Sequence, residues 1–518
     1  MKENLKKYRS CLFVTGLLAF LVHGAKLNAG IIGIDTEDLL HLQDDFYGGW
    51  LHTGRQGLVF LKYVLGNAHF NPYFAGSMTL LLFGAAVAAF LWLWDRTGGK
   101  TEAGLAWGCG SLLWISHPAM AEQFYFSLQS MEICLAMVFT AAALYLSFQW
   151  VDRHAWRYAL GSVCILLLVF SVYQSFVVIY IFGIVAMLML QALREASEGA
   201  EVRTGAYVRR VALHCGLFLA AFLLNTLITR LFFGSSSYLE NQIFWGHASV
   251  KDCLHGIAGH VVKAFTGYDS VFYHWGLGLL AAADLGLLLW FLKEPGRKGR
   301  KNGGVVLFFY GALLTTPFLM SVLLGGTPAM RSQLALPALT GFLGWLGIKL
   351  VLLQKGRVRR EGIFRAALLC IGAVSLVCGA EQAKVTWKLY YTDRCRYEQD
   401  AALGRAVISQ IEAETAGEEA ELPVFFVGSR EFTGNHACVK GEIIGISFFQ
   451  HDRRVEPEFY WSTRRILGFL HTLGADYIQI PEEWMGDALA RSAEMPSWPA
   501  EGSVRAVDGM VIVKLSAE

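Results

Sequence analysis

The sequence predicts an α-helical polytopic membrane protein of about eleven transmembrane helices, with a small C-terminal α/β domain outside the membrane. Three observations predict it. Of 518 residues, 54% are hydrophobic and 17% charged, and the mean hydropathy of +0.42 is too high for a soluble globular domain. Apolar runs recur at about the 20-residue length that crosses a hydrocarbon core. After residue 380 those runs stop, and a charged helical periodicity with short β-type runs replaces them. A formal net charge of +2 excludes nucleic acid as a partner, because a phosphate backbone needs clustered excess Lys and Arg. The ten cysteines lack CxxC spacing, which argues against zinc-ribbon or redox chemistry. Cys395 and Cys438 fall in polar segments, and a disulfide between them stays open.

The basic start at residues 1–9 and the apolar run 11–25 have the layout of a secretory signal. Many runs of the same character follow, so an uncleaved first span is the preferred reading. The eleven spans are placed at residues 11–30, 75–94, 103–117, 128–150, 158–172, 175–193, 211–233, 275–292, 304–325, 333–354 and 362–380. The long run 158–190 is divided at Ser171-Val172-Tyr173-Gln174-Ser175, its one polar break. With that division, the basic clusters at the N-terminus and at 95–100, 152–157, 194–210, 293–301 and 355–365 all fall on one side. The positive-inside rule makes that side cytoplasmic. The segments 35–73, 117–127, 173–175, 234–274, 326–331 and everything after 381 then face outward. This gives a membrane domain over 1–380, with its first outer loop at 31–74, and an extracytoplasmic domain over 381–518. In the latter, strands are expected at 422–428, 477–481 and 510–515, and a helix after Pro481-Glu482-Glu483. No glycine-rich phosphate loop is present, which argues against a Rossmann-type nucleotide site.

The polar groups expected at the outer face are the candidates for chemistry. Asp35 and Glu37 follow the first span and precede 38–65, whose apolar residues recur at helical spacing and suit one or two helices in the interface plane. A carboxylate there can serve as general base to a hydroxyl or hold a divalent cation through oxygen. It can equally be a helix cap, from Asp35 or Thr36. Arg55, between glycines in Gly54-Arg55-Gln56-Gly57, and Arg331, after Gly325-Gly326-Thr327-Pro328, suit phosphate oxygens; snorkelling to lipid headgroups is the plain alternative for Arg55. Glu122 is an isolated acid, either a solvated loop residue or one that is paired or faces a water-filled cavity, and Tyr173 and Gln174 sit at the helix break; these three are candidate substrate contacts. His255 and His260, near Asp252 and Glu240, are five apart and do not share a helical face, which argues against a metal there. Asp284 lies inside a span, where pairing within the bundle is its plain role.

The order of Asp35-Thr36-Glu37, Gly54-Arg55-Gln56-Gly57, Phe70-Asn71-Pro72-Tyr73, Tyr173-Gln174-Ser175, Gly325-Gly326-Thr327-Pro328-Ala329-Met330-Arg331 and Gly445-Ile446-Ser447-Phe448-Phe449 resembles the bacterial Gtr-type membrane glucosyl transferases. These belong to the polyprenyl-phosphate-sugar-dependent enzymes of the GT-C architecture. The resemblance implies an inverting hexosyltransferase in the bacterial plasma membrane, N-terminus cytoplasmic. It would move a sugar, glucose by analogy, from undecaprenyl phosphate to a surface polysaccharide or lipid-linked acceptor. It further implies Asp35 as catalytic base with Glu37 its partner, and Arg55 and Arg331 on the departing phosphate. No cofactor is required, although a divalent cation at Asp35 and Glu37 is compatible. A lipid-linked glycan transporter or flippase is the alternative from another class, but transporters usually carry repeats and helices interrupted at the midplane, whereas the polar residues here gather at one face. A polysaccharide polymerase or ligase would share the donor.

Overall fold

The computed structural model describes residues 2–99, 103–200, 202–234, 242–268, 270–293, 303–355, 361–416, 422–451 and 456–517. Glu240 and parts of four basic clusters, at 95–100, 194–210, 293–301 and 355–365, lie outside them.

The first apolar run is α1 (Lys2–Leu27), and three short helices follow it: α2 (Thr36–His41), α3 (Gln43–His52) and α4 (Gln56–Val64). The next helix, α5 (Pro72–Thr97), starts where the sequence signals a start. Asn71 accepts N–H bonds from Tyr73 and Phe74 at 3.1 and 3.0 Å, and Pro72 occupies the first helical position. Then come α6 (Ala103–Ile115), α7 (Ala119–Tyr125), α8 (Ser127–Arg153), α9 (Trp156–Val172), α10 (Phe176–Ser197) and α11 (Thr204–Phe232). The long run 158–190 is two helices, with α9 and α10 parting at Tyr173-Gln174-Ser175. Beyond it lie α12 (Val250–Thr266), α13 (Gly276–Lys293), α14 (Gly303–Thr315), α15 (Leu319–Leu324) and α16 (Ala335–Leu352).

Among the described residues, nine helical stretches have the length and hydropathy to cross a membrane; Gly303–Leu324 is one of them, with a 3-10 turn at Thr316–Phe318 around Pro317. The eleven expected spans are therefore not all matched: α6 and α9 are apolar but only 13 and 17 residues long. Asp284 does not show the pairing expected of it, since neither of its buried carboxyl oxygens has a hydrogen-bond partner.

The domain boundary expected near 381 falls inside one unbroken helix, α17 (Glu361–Glu414), of 54 residues. Its first half is apolar and its second carries the charged pattern. The tail then folds into β1 (Val424–Val427), α18 (Glu458–Thr472), α19 (Met485–Ser492), β2 (Val504–Val507) and β3 (Met510–Lys514). The strand order is β1-β3-β2, with β1 parallel and β2 antiparallel to β3. The run 477–481 makes only an isolated bridge to Val424, because Pro481 removes a donor and turns the chain. The strand β2 was not expected, although Asp508-Gly509, both at positive φ, is the two-residue hairpin turn that signals it.

A buried ionic network locks the tail to the bundle. On successive turns of α17, Asp393 pairs with Lys26 of α1, and Arg396 donates to Asp393 at 2.6 Å and to the Ile32 carbonyl at 3.0 Å. Asp400 accepts from Ser447 Oγ at 2.6 Å and from the Phe448 N–H at 3.1 Å, and Phe448 stacks on Phe469 at 4.2 Å. The Gly445–Phe449 stretch is thus a docking element.

The segments assigned to one side by charge also meet in space. At one end of the bundle, α2 packs on α18, Glu122 binds the loop 442–444, and Met330 donates to Glu442 at 2.8 Å. At the other, Tyr8 donates to Asp95, and Lys349 donates to the Gly99 carbonyl at 2.9 Å. Cys438, half-buried and a free thiol like Cys395, reports which end faces outward. In intact cells a membrane-impermeant maleimide is expected to label a variant retaining only Cys438. Labelling solely after permeabilisation would reverse the orientation.

Candidate functional site

Asp35 is the N-cap of α2 but does not cap it through its side chain. Its backbone is left-handed (φ 77°, ψ −21°), its carboxylate makes no capping bond, and the residue is exposed. Non-glycine residues rarely hold this conformation unless their surroundings over-determine it. Here they do. Ile34 N–H donates to Tyr125 Oη at 3.1 Å, and the Ile32 carbonyl is held by Arg396. Gly33 lies so close to Tyr125 that a Cβ would come within 2.6 Å of its carbonyl oxygen, so only glycine fits. The carboxylate is thereby presented to solvent.

Glu37 is placed differently. It is buried beneath α18, where Gly468 leaves room for it, and its Oε2 has no hydrogen-bond partner. Burial, and then the neighbouring Asp35 charge, push its carboxyl up to about 8. Near neutral pH this carboxyl keeps its proton, unlike an ordinary glutamate. Because the folded-state value lies above the ordinary 4.5, this group's contribution to stability is full below that value and is lost as pH rises through about 8. Glu37→Gln should therefore match the parent Tm at pH 5 and exceed it by a few degrees at pH 9. A difference that does not change between those pH values would mean that the carboxylate is solvated.

Arg55 caps the start of α4 at the break between α9 and α10. Its guanidinium lies 5.2 Å from the Tyr173 ring and 3.4 Å from Gln129 Oε1, and its buried Nε has no partner. Gln174 donates to the Thr53 carbonyl at 2.9 Å, tying the α9–α10 break to the Gly54-Arg55 turn. Arg331, in the 3-10 turn Met330–Ser332, stacks on Phe126 at 4.5 Å. Phe126 and Gln129 belong to the same turn, where α7 passes into α8, and Tyr125 immediately precedes it. Arg55 and Arg331 therefore both reach residues 126–129, and the backbone leading into Asp35 rests on the adjacent Tyr125 through Gly33 and Ile34.

Glu122 is enclosed rather than open. Its carboxylate accepts the backbone N–H groups of Glu442 at 2.7 Å, Ile443 at 3.2 Å and Ile444 at 3.3 Å. Burial and the Glu442 charge push it up to about 7 against those N–H groups, which favour the charged form. The geometry makes it a clasp for the tail. His260 is likewise committed, to Ser321 and Gln333. Among the described residues, the grouping that brings three potential metal ligands together is His41, His471 and Asp476, and neither Asp35 nor Glu37 is in it.

Sequence reasoning missed Gln129, which bridges Arg55 to α8, and the buried Lys62–Glu132 pair at 3.1 Å beneath the first loop. An acid inside a predicted span was the available signal for Glu132.

A family profile described as Glucosyl transferase GtrII matches residues 25–347, more than half of the chain and the stretch holding Asp35, Glu37, Arg55, Glu122, Tyr173, Gln174 and Arg331. The chain belongs to the GtrII glucosyl transferase family. It is a membrane glycosyltransferase, and transport alone gives way as a reading. The profile match ends before α17, so the tail that covers Glu37 and Glu122 lies beyond it. A comparison with curated proteins finds no match.

Proposed function

We propose that this GtrII-family protein transfers a hexosyl group, glucose by family, from a polyprenyl phosphate to a hydroxyl of a surface glycan or lipid-linked acceptor. The reaction runs with inversion on the outer face of a bacterial plasma membrane. The observation that carries the proposal is that Arg55 and Arg331 both reach residues 126–129 while the backbone leading into the exposed, left-handed Asp35 rests on the adjacent Tyr125.

In this reading Asp35 takes the proton of the acceptor hydroxyl as its oxygen attacks the anomeric carbon. The bond from that carbon to the phosphate oxygen breaks, and polyprenyl phosphate leaves with the electron pair. Arg55 and Arg331 stabilise the charge growing on the phosphate, a role guanidinium fills well through paired N–H donors. Tyr173, Gln174 and Gln129 position Arg55. A lipid-borne donor would bring its sugar–phosphate bond to the end of the bundle where these groups lie, and the arginines would supply the electrostatics without a cation.

The test is a single-turnover assay of purified protein with radiolabelled polyprenyl-phosphate-glucose and a glycan acceptor. Label should move to the acceptor with release of polyprenyl phosphate. Transfer from a nucleotide sugar but not from the lipid donor would overturn the proposal.

A further inference from the structure

The contact between α2 and α18 holds a second grouping, apart from the arginines. His41 ends α2, His471 lies in the last turn of α18, and Asp476 follows the Gly474 turn. His41 Nε2 is 3.4 Å and His471 Nδ1 is 3.3 Å from the same oxygen, Asp476 Oδ1, and the two rings lie 4.9 Å apart. One ligand atom from each residue lies within 4.8 Å of the others.

Hydrogen bonding among the three accounts poorly for this arrangement. Charge-assisted N–H···O bonds close to about 2.7–2.9 Å, and both contacts here are longer. Tetrahedral coordination accounts for it better. Zinc bonds of about 2.0–2.1 Å set neighbouring ligand atoms about 3.3 Å apart, the separation found on two of the three edges. Two imidazole nitrogens and one carboxylate oxygen suit a borderline d-block cation, not magnesium or calcium, which take oxygen. Asp476 is 74% exposed on its side chain, so the fourth position opens to water. Asp38 and Asp45, held by Arg464 at 2.9 and 3.9 Å, add negative charge around the same junction.

We propose that His41, His471 and Asp476 form a binding site for zinc or a similar divalent transition metal that clamps the first-loop helix α2 to the tail. His41 lies six residues, about 9 Å along the helix, from Asp35. The metal is therefore a positioning element and touches no reacting atom. The proposal does not depend on the donor or direction of sugar transfer.

The experiment uses full-length protein in detergent, stripped with a chelator and titrated with zinc chloride against a chromophoric competitor. One zinc per chain is expected, with Tm raised on binding. His471→Ala and Asp476→Ala, both at accessible positions, should each weaken binding at least tenfold and abolish the Tm rise, whereas Asp35→Asn should keep both. His41→Ala is a poorer test, because the residue is largely covered and its loss can disturb folding. An unchanged affinity in the His471→Ala/Asp476→Ala double variant, or no saturable binding by the parent at micromolar zinc, would overturn the site. Sugar transfer measured on the same samples keeps the two proposals separable, since a protein that transfers sugar but takes no zinc overturns only this one.

Discussion

Asp35→Asn is expected to slow sugar transfer by about 10²–10⁴-fold at saturating donor, the range over which a positioned general base acts. Donor affinity should change by less than about threefold, because the phosphate is assigned to Arg55 and Arg331 and not to this carboxylate. The substitution is informative because of the backbone it occupies. Asn, like Asp, tolerates the left-handed region, so φ 77° at this position survives the change and the loss reports proton transfer. Asp35→Ala would mix that loss with backbone strain of about 1–2 kcal/mol. A purified Asp35→Asn protein that turns over at the parental rate would remove Asp35 from the chemistry.

Glu122→Ala is expected to produce the largest structural effect. Three backbone N–H groups at 442–444 converge on this one carboxylate, and the site is sealed. Leaving buried donors unmatched costs about 1–3 kcal/mol each, so the loop should release instead of remaining docked. Hydrogen exchange should rise across 441–449, and the variant's Tm should fall. Glu122→Gln should behave similarly, since its amide sets an N–H against donors that need an acceptor. Unaltered exchange in that segment would show that the Asp400, Ser447 and Phe448 contacts hold the tail without Glu122.

Much of the architecture was legible in the sequence because membrane spans are written in long apolar runs, and the break at Tyr173-Gln174-Ser175 was recoverable from the polar residues there together with the placement of charge in the loops. The span count was less legible. The helices α6 and α9 are short, and a length rule treats them as spans only when flanking residues are counted in. Of the site, Asp35 and Arg55 stood out as polar residues next to apolar runs or glycines. What was hidden was the direction of each side chain. Asp35 and Glu37 are two residues apart, yet one faces solvent and the other lies under α18, because Asp35 sits before the helix in a left-handed conformation and Glu37 is in its first turn. Glu122 looked like a lone acid because its partners are backbone N–H groups more than 300 residues away, which no local pattern records. The three groups of the proposed zinc site were equally invisible, since His41 and His471 come from segments that only the tertiary fold joins.

The unbroken α17 gives the protein a ruler and a dial in one part. Each residue added between the apolar half and Asp393 would lift the tail by 1.5 Å and rotate it by about 100°. One extra residue would carry Asp393, Arg396 and Asp400 away from Lys26, Ile32 and Ser447 altogether. Seven would bring them back to within about 20° of their facing, two turns higher. The spacing and the facing of the tail relative to the bundle are thus set together by the length of one helix, and the facing returns only at insertions close to whole numbers of turns, such as seven or eleven residues.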